Sequence, residues 1–91
     1  MSRAVLQNVL TAIDNFVGGF GDIADLQSAL QANASALDRS FDGVIRELRS
    51  LDADLEEIRF ARLRDEQRPA AVLRLDPVRE SVVAALDKCE N

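Results

Sequence analysis

The sequence predicts an all-α protein, a compact bundle of five or six short helices forming a single domain over residues 1–91. Three observations predict it. Apolar residues recur at spacings of three and four through most of the chain, the period of one helical face. Strict apolar–polar alternation, the mark of a half-buried strand, is absent. Gly, Asp-Pro and Asn/Ser positions break the apolar stripes at short intervals, where helices start and stop.

The first stripe is Val5, Leu6, Val9, Leu10, Ile13, Phe16 and Val17, with Ser2 placed as an N-cap. Gly18-Gly19 ends it, because Gly takes the left-handed position after a helix at no steric cost. A helix over about residues 3–17 follows. Phe20, between Gly19 and Gly21, is expected to turn inward as a plug. Asp22 can cap the next helix, with Asp25 in its first turn. Ile23, Leu26, Ala29 and Leu30 give a second helix at about 23–32, closed by a turn at Asn33-Ala34-Ser35; a helix continuing through that turn is the competing reading.

Leu37, Phe41, Val44, Ile45, Leu48 and Leu51 give a third helix at about 36–50. Gly43 inside it costs roughly 1 kcal/mol relative to Ala. Close packing against a neighbouring helix is the expected reason, a loop or kink the alternative. Ser50 or Asp52 then caps a fourth helix that buries Leu55, Ile58 and Leu63, with Phe60 continuing the Leu51, Leu55, Ile58 thread. Asp65 is the next cap, before a segment with Ala70, Val72, Leu73 and Leu75 as apolar positions. Asp76-Pro77 reads as a cap followed by Pro at the first helical position, opening a last helix through Val78, Val82, Val83, Ala85 and Leu86. One long kinked helix across Pro77 remains open.

Composition excludes several functions. The chain has no His, so a base near neutral pH is lacking, and with one Cys a zinc site has no ligand set. Neither a glycine loop followed by Lys-Ser/Thr nor a Gly-x-Ser-x-Gly elbow occurs. Neither an EF-hand spacing nor any other cofactor motif is present. These features predict a protein that is not an enzyme and holds no cofactor. Net charge is −5, which argues against direct nucleic-acid binding, since Lys and Arg neutralise phosphates there. No apolar run approaches the ~20 residues of a membrane span, and no signal-peptide pattern opens the chain. A lone Cys89 near the end suits a reducing compartment. A cytoplasmic location is expected.

Charge is densest from Ser50 to Pro69, and its sign changes partway. Asp52, Asp54, Glu56 and Glu57 come first, then Arg59, Arg62, Arg64 and Arg68. The four acids can be read as a solvated helix start favoured by the macrodipole. They can also be read as a surface that docks a basic partner, extended by Asp38, Asp42 and Glu47 on the polar side of the third helix, where complementary charge speeds association. The arginines are expected to balance nearby acids, Asp65 and Glu66 among them.

Asp54-Leu55-Glu56-Glu57-Ile58-Arg59-Phe60, followed by Asp65-Glu66-Gln67-Arg68, resembles a pattern in small all-α immunity proteins encoded beside polymorphic or contact-dependent growth-inhibition toxins. Phe16-Val17-Gly18-Gly19 and Leu26 to Leu30 match the earlier part of that pattern, so the resemblance spans about residues 10–75. Gly43 and the Pro77 break depart from it. The resemblance implies a stoichiometric neutraliser that masks a cognate toxin domain, often a nuclease with a basic cleft. It supplies no shared set of binding residues, so Asp52, Asp54, Glu56, Glu57, Asp38 and Asp42 stand as candidates on charge placement alone. A helical adaptor or structural homo-oligomer is the alternative function.

Overall fold

The computed structural model describes residues 2–89. Four helices follow in order: α1 (Ser2–Val17), α2 (Ile23–Ala36), α3 (Asp42–Ala61) and α4 (Arg64–Cys89), with a single 3-10 turn (Arg39–Phe41) before α3. Short connections make consecutive helices antiparallel neighbours. α1 packs on α2 and α4, α3 packs on the same two, and the α2–α4 diagonal is lightly touched. The bundle measures 43 × 21 × 18 Å. The all-α expectation stands; the count of five or six helices is corrected to four, because two expected breaks are absent.

The α1–α2 connection follows local chemistry closely. Gly19 adopts φ +95°. Its N–H donates to the Phe16 carbonyl at 3.0 Å, and the Phe20 N–H donates to the Asn15 carbonyl at 2.8 Å. This paired pattern satisfies carbonyls that a helix end would leave unbonded. Asp22 and Asp25 form a reciprocal capping box, each side chain accepting from the other's backbone N–H (2.9 and 3.1 Å). Phe20 does not plug the core: it is 72% exposed. The space beneath the connection belongs to Arg68 from α4, which lies over the Phe16 ring and bonds the Phe16 and Gly21 carbonyls.

α2 runs through the expected turn at Asn33-Ala34-Ser35 and ends at Ala36, capped by Leu37, whose N–H donates to the Asn33 carbonyl. Ala34 and Leu37 are both buried, so the apolar face outweighs the polar turn residues. Asn33 turns its amide back to the Ala29 carbonyl at 2.7 Å, a bond compatible with helix.

α3 starts later than expected, after Leu37, and continues without a break through Ser50 and Asp52. Leu48, Leu51 and Leu55 form one buried stripe across the expected boundary, and burial there outweighs local capping preference. Phe60 is 76% exposed rather than core, since its position lies well round the helix from Leu55 and Ile58. Leu63, expected inside, is exposed in the two-residue α3–α4 connection. Gly43 packs against nothing: a Cβ there would meet no atom within 4 Å. It sits in the first turn of α3.

α4 is a single helix of 26 residues with Pro69 and Pro77 inside it. Asp65 lies within its first turn instead of capping it, and Asp76-Pro77 starts no new helix. Buried Ala71, Leu75, Val82 and Ala85 keep one phase across Pro77, with half-buried Val78 between them. That continuous stripe holds the helix together where Pro77 removes one backbone donor. The same phase turns Leu73 outward, 74% exposed. Cys89 ends the helix half-buried against the core.

Candidate functional site

The acids between Asp52 and Glu57 lie in the C-terminal half of α3, not at a helix start. The macrodipole therefore gives them no support. Helical spacing divides them between two sides of α3.

Asp52 and Glu56, four residues apart, face α2. Gln27 is the buried polar side chain at that seam. Its amide nitrogen donates to Glu56 Oε2 at 2.6 Å and to Asp52 Oδ1 at 3.1 Å, and lies 3.3 Å from the Asp52 carbonyl. Gln31 donates to Asp52 Oδ2 at 3.1 Å. Arg59 Nη1 donates to Gln27 Oε1 at 3.4 Å, closing the chain of polar contacts. Buried side-chain polar atoms among the described residues all have hydrogen-bond partners. The two carboxylates are thus held by neutral amides. No cation bonds them directly among the described residues, and each oxygen can accept more than one hydrogen bond.

Asp54 and Glu57 face the other way, toward α4. Asp54 forms an ion pair with Arg74, and both line a groove between α3 and α4 whose walls include Ile58, Ala61, Ala70 and Leu73. A second depression between the same helices, sharing Asp54, Leu73 and Arg74 with the first, is lined by Leu51, Pro77, Val78 and Glu47. Glu57 stays exposed at its rim.

Asp38 and Asp42 sit at the far end of α3. Asp38 precedes the 3-10 turn, and Asp42 is the first residue of the helix. Roughly 15 Å of helix axis separates Asp42 from Asp52 at 1.5 Å per residue. The six candidate acids therefore form no single patch. The structure brings Asp52 together with Glu56, ties Asp54 to Arg74, and leaves Asp38 and Asp42 apart.

The arginines do more than balance charge. Arg68 donates to the Phe16 carbonyl in the last turn of α1, where a cation also meets the negative end of the helix dipole, and to the Gly21 carbonyl in the connection that follows. Gln67 does related work for α3, donating to the Arg59 and Arg62 carbonyls at 3.1 and 3.2 Å. Two carboxyls are held below the usual carboxylate range: Asp14 by the hydrogen bond from Arg79, and Asp22 by the backbone N–H of Asp25.

Gln27, Gln31, Gln67 and Arg68 were not among the expected site residues. The signal for Gln27 lies in its spacing from Ile23 and Leu30, which puts an amide on the apolar face of α2. Among the described residues, no group of three or more metal-ligating side chains could hold an ion, and no helix is long and apolar enough to cross a membrane. Comparison with protein-family models, curated proteins and solved structures finds no match to the chain.

Proposed function

We propose that the chain is a non-enzymatic binding protein that neutralises a cognate toxin domain by stoichiometric occlusion. Asp52 and Glu56 form the surface that meets the toxin's basic side. The observation that carries this reading is the pair of carboxylates held in place by Gln27 and Gln31 with acceptor capacity to spare. Carboxylates fixed before binding lose little freedom when a Lys or Arg arrives. The net charge of −5 speeds encounter with a basic cleft, such as a nuclease uses for phosphates. A complex of this kind buries roughly 1,600 Å² in total, within reach of one long face of the bundle.

The resemblance to immunity proteins supplies the partner class, and the location follows as the cytoplasm of the producing cell. The test is affinity measurement with the toxin-like domain encoded by the adjacent gene. Glu56→Lys, at an exposed position, should slow association and weaken binding, with Asp52→Asn acting in the same direction. A neighbouring product that is not bound at all would overturn the function. Binding that Glu56→Lys leaves unchanged would overturn only the placement of the surface.

A further inference from the structure

We infer that the α3/α4 groove is a self-association surface whose occupant is the same groove of a second copy of this chain, docked about a two-fold axis. The groove has an apolar middle in Ile58, Ala61, Ala70 and Leu73, and Leu73 is 74% exposed there. A large aliphatic side chain standing out of a groove floored by small residues fits a matching groove better than it fits water.

The charges decide the occupant. At the centre, Asp54 and Arg74 neutralise one another. Glu47 lies toward one end and Arg62 toward the other, both lining the groove and neither engaged by that central pair. Counted along the α3 axis from Asp54, Glu47 is about 10 Å away and Arg62, just past the end of the helix, about 12 Å away in the opposite direction. A two-fold axis near Asp54 that runs the two α3 helices antiparallel therefore sets Glu47 of each copy against Arg62 of the other. It also brings the two Leu73 side chains together beside the axis. A parallel arrangement would set Glu47 on Glu47 and Arg62 on Arg62. With Glu57 left at the exposed rim, the Glu47 and Arg62 charges of the groove are self-complementary in one orientation only, as an isologous interface requires. Its near balance of signs suits a copy of itself better than a strongly basic or acidic partner. The bundle along which the groove runs is 43 Å long, and a standard interface takes about 800 Å² from each partner. Asp52 and Glu56 face α2, so this contact is separate from the proposed toxin surface.

Sedimentation of the full chain across a concentration series tests the inference, with circular dichroism confirming that each variant stays helical. The wild-type chain should sediment as a dimer by about 100 µM, and Leu73→Asp as a monomer. Glu47→Arg and Arg62→Glu should each weaken the dimer by about tenfold or more. The double variant, and an equimolar mixture of the two single variants, should restore it, because every cross-axis pair is then again opposite in sign. A wild-type monomer throughout, a dimer indifferent to Leu73→Asp, or failure of both charge-swap rescues would each overturn the proposal.

Discussion

The Arg68 guanidinium lies over the Phe16 ring, 4.4 Å from its centroid, and donates to the carbonyls of Phe16 and Gly21. Fifty-two residues apart in sequence, the pair ties the start of α4 to the end of α1 and to the loop that follows. Arg68→Ala removes charge-assisted hydrogen bonds and a stacked cation together, and should cost about 2–3 kcal/mol. Arg68→Lys should recover less than half, since one ammonium cannot reproduce a planar fork spanning two carbonyls. Urea midpoints for the two variants check both statements.

Gln27 joins α2 to α3 through Asp52 and Glu56. Gln27→Leu keeps volume and apolar contact but leaves the half-buried Asp52 with fewer donors. The expected loss is about 1–2 kcal/mol, in line with removal of one partner from a partly buried polar group. Gln27→Glu should cost more, because it sets a third carboxylate against the first two. Thermal denaturation near neutral pH orders the three proteins: wild type, then Leu, then Glu. The same variants bear on the proposed function, since the glutamine that stabilises the seam also fixes the carboxylates.

Much of this fold was legible in sequence, and the misses share a cause. α1, its glycine stop and the Asp22 cap of α2 were readable because local chemistry and the apolar stripe agree there. At Ser50-Asp52 and at Asp76-Pro77 they disagree. Polar cap residues pointed to a break, while Leu48-Leu51-Leu55 and Ala71-Leu75-Val82 carried the stripe straight through. Burial won at both places. Phe60 and Leu73 misled in the opposite sense, being large apolar residues out of phase with the stripe, and Phe20 lies exposed in the connection between α1 and α2. For the acids, charge density was visible but direction was not. Which side of α3 each faces depends on an unbroken helix from Asp42 to Ala61, and so on the boundary that was misplaced.

Asp14 and Arg79 link α1 to α4 by two contacts at 2.8 and 3.3 Å. The hydrogen bond from Arg79 holds the Asp14 carboxyl below its ordinary value, while Asp14 raises the Arg79 value in turn. A folded-state value below the unfolded one means stability that is fully present above about pH 4, the unfolded carboxylate value. That stability is lost as pH falls through the lower, folded value. Asp14→Asn should therefore be less stable than wild type at pH 7, with the gap narrowing as the solution is taken below about pH 4. Both groups are well exposed, so salt should shrink the gap at pH 7 as well. Guanidinium adds salt of its own, so urea is the denaturant for this comparison.

Two glycines should respond to alanine in opposite directions. Gly43 lies in the first turn of α3 at an ordinary helical φ, and a Cβ there would meet open space. Gly43→Ala lowers the entropy of the unfolded chain and disturbs no neighbour, so it should stabilise by about 0.5–1 kcal/mol. Gly19 also has open space around a built Cβ, but its φ of +95° is a conformation that side-chain-bearing residues rarely adopt. Gly19→Ala should destabilise by about 1–2 kcal/mol, since the alternative to the strain is loss of the paired hydrogen bonds that end α1. Space is equal at the two positions, so backbone conformation alone predicts the difference in sign. Denaturation midpoints that moved in the same direction for both variants would contradict the turn geometry assigned to Gly19.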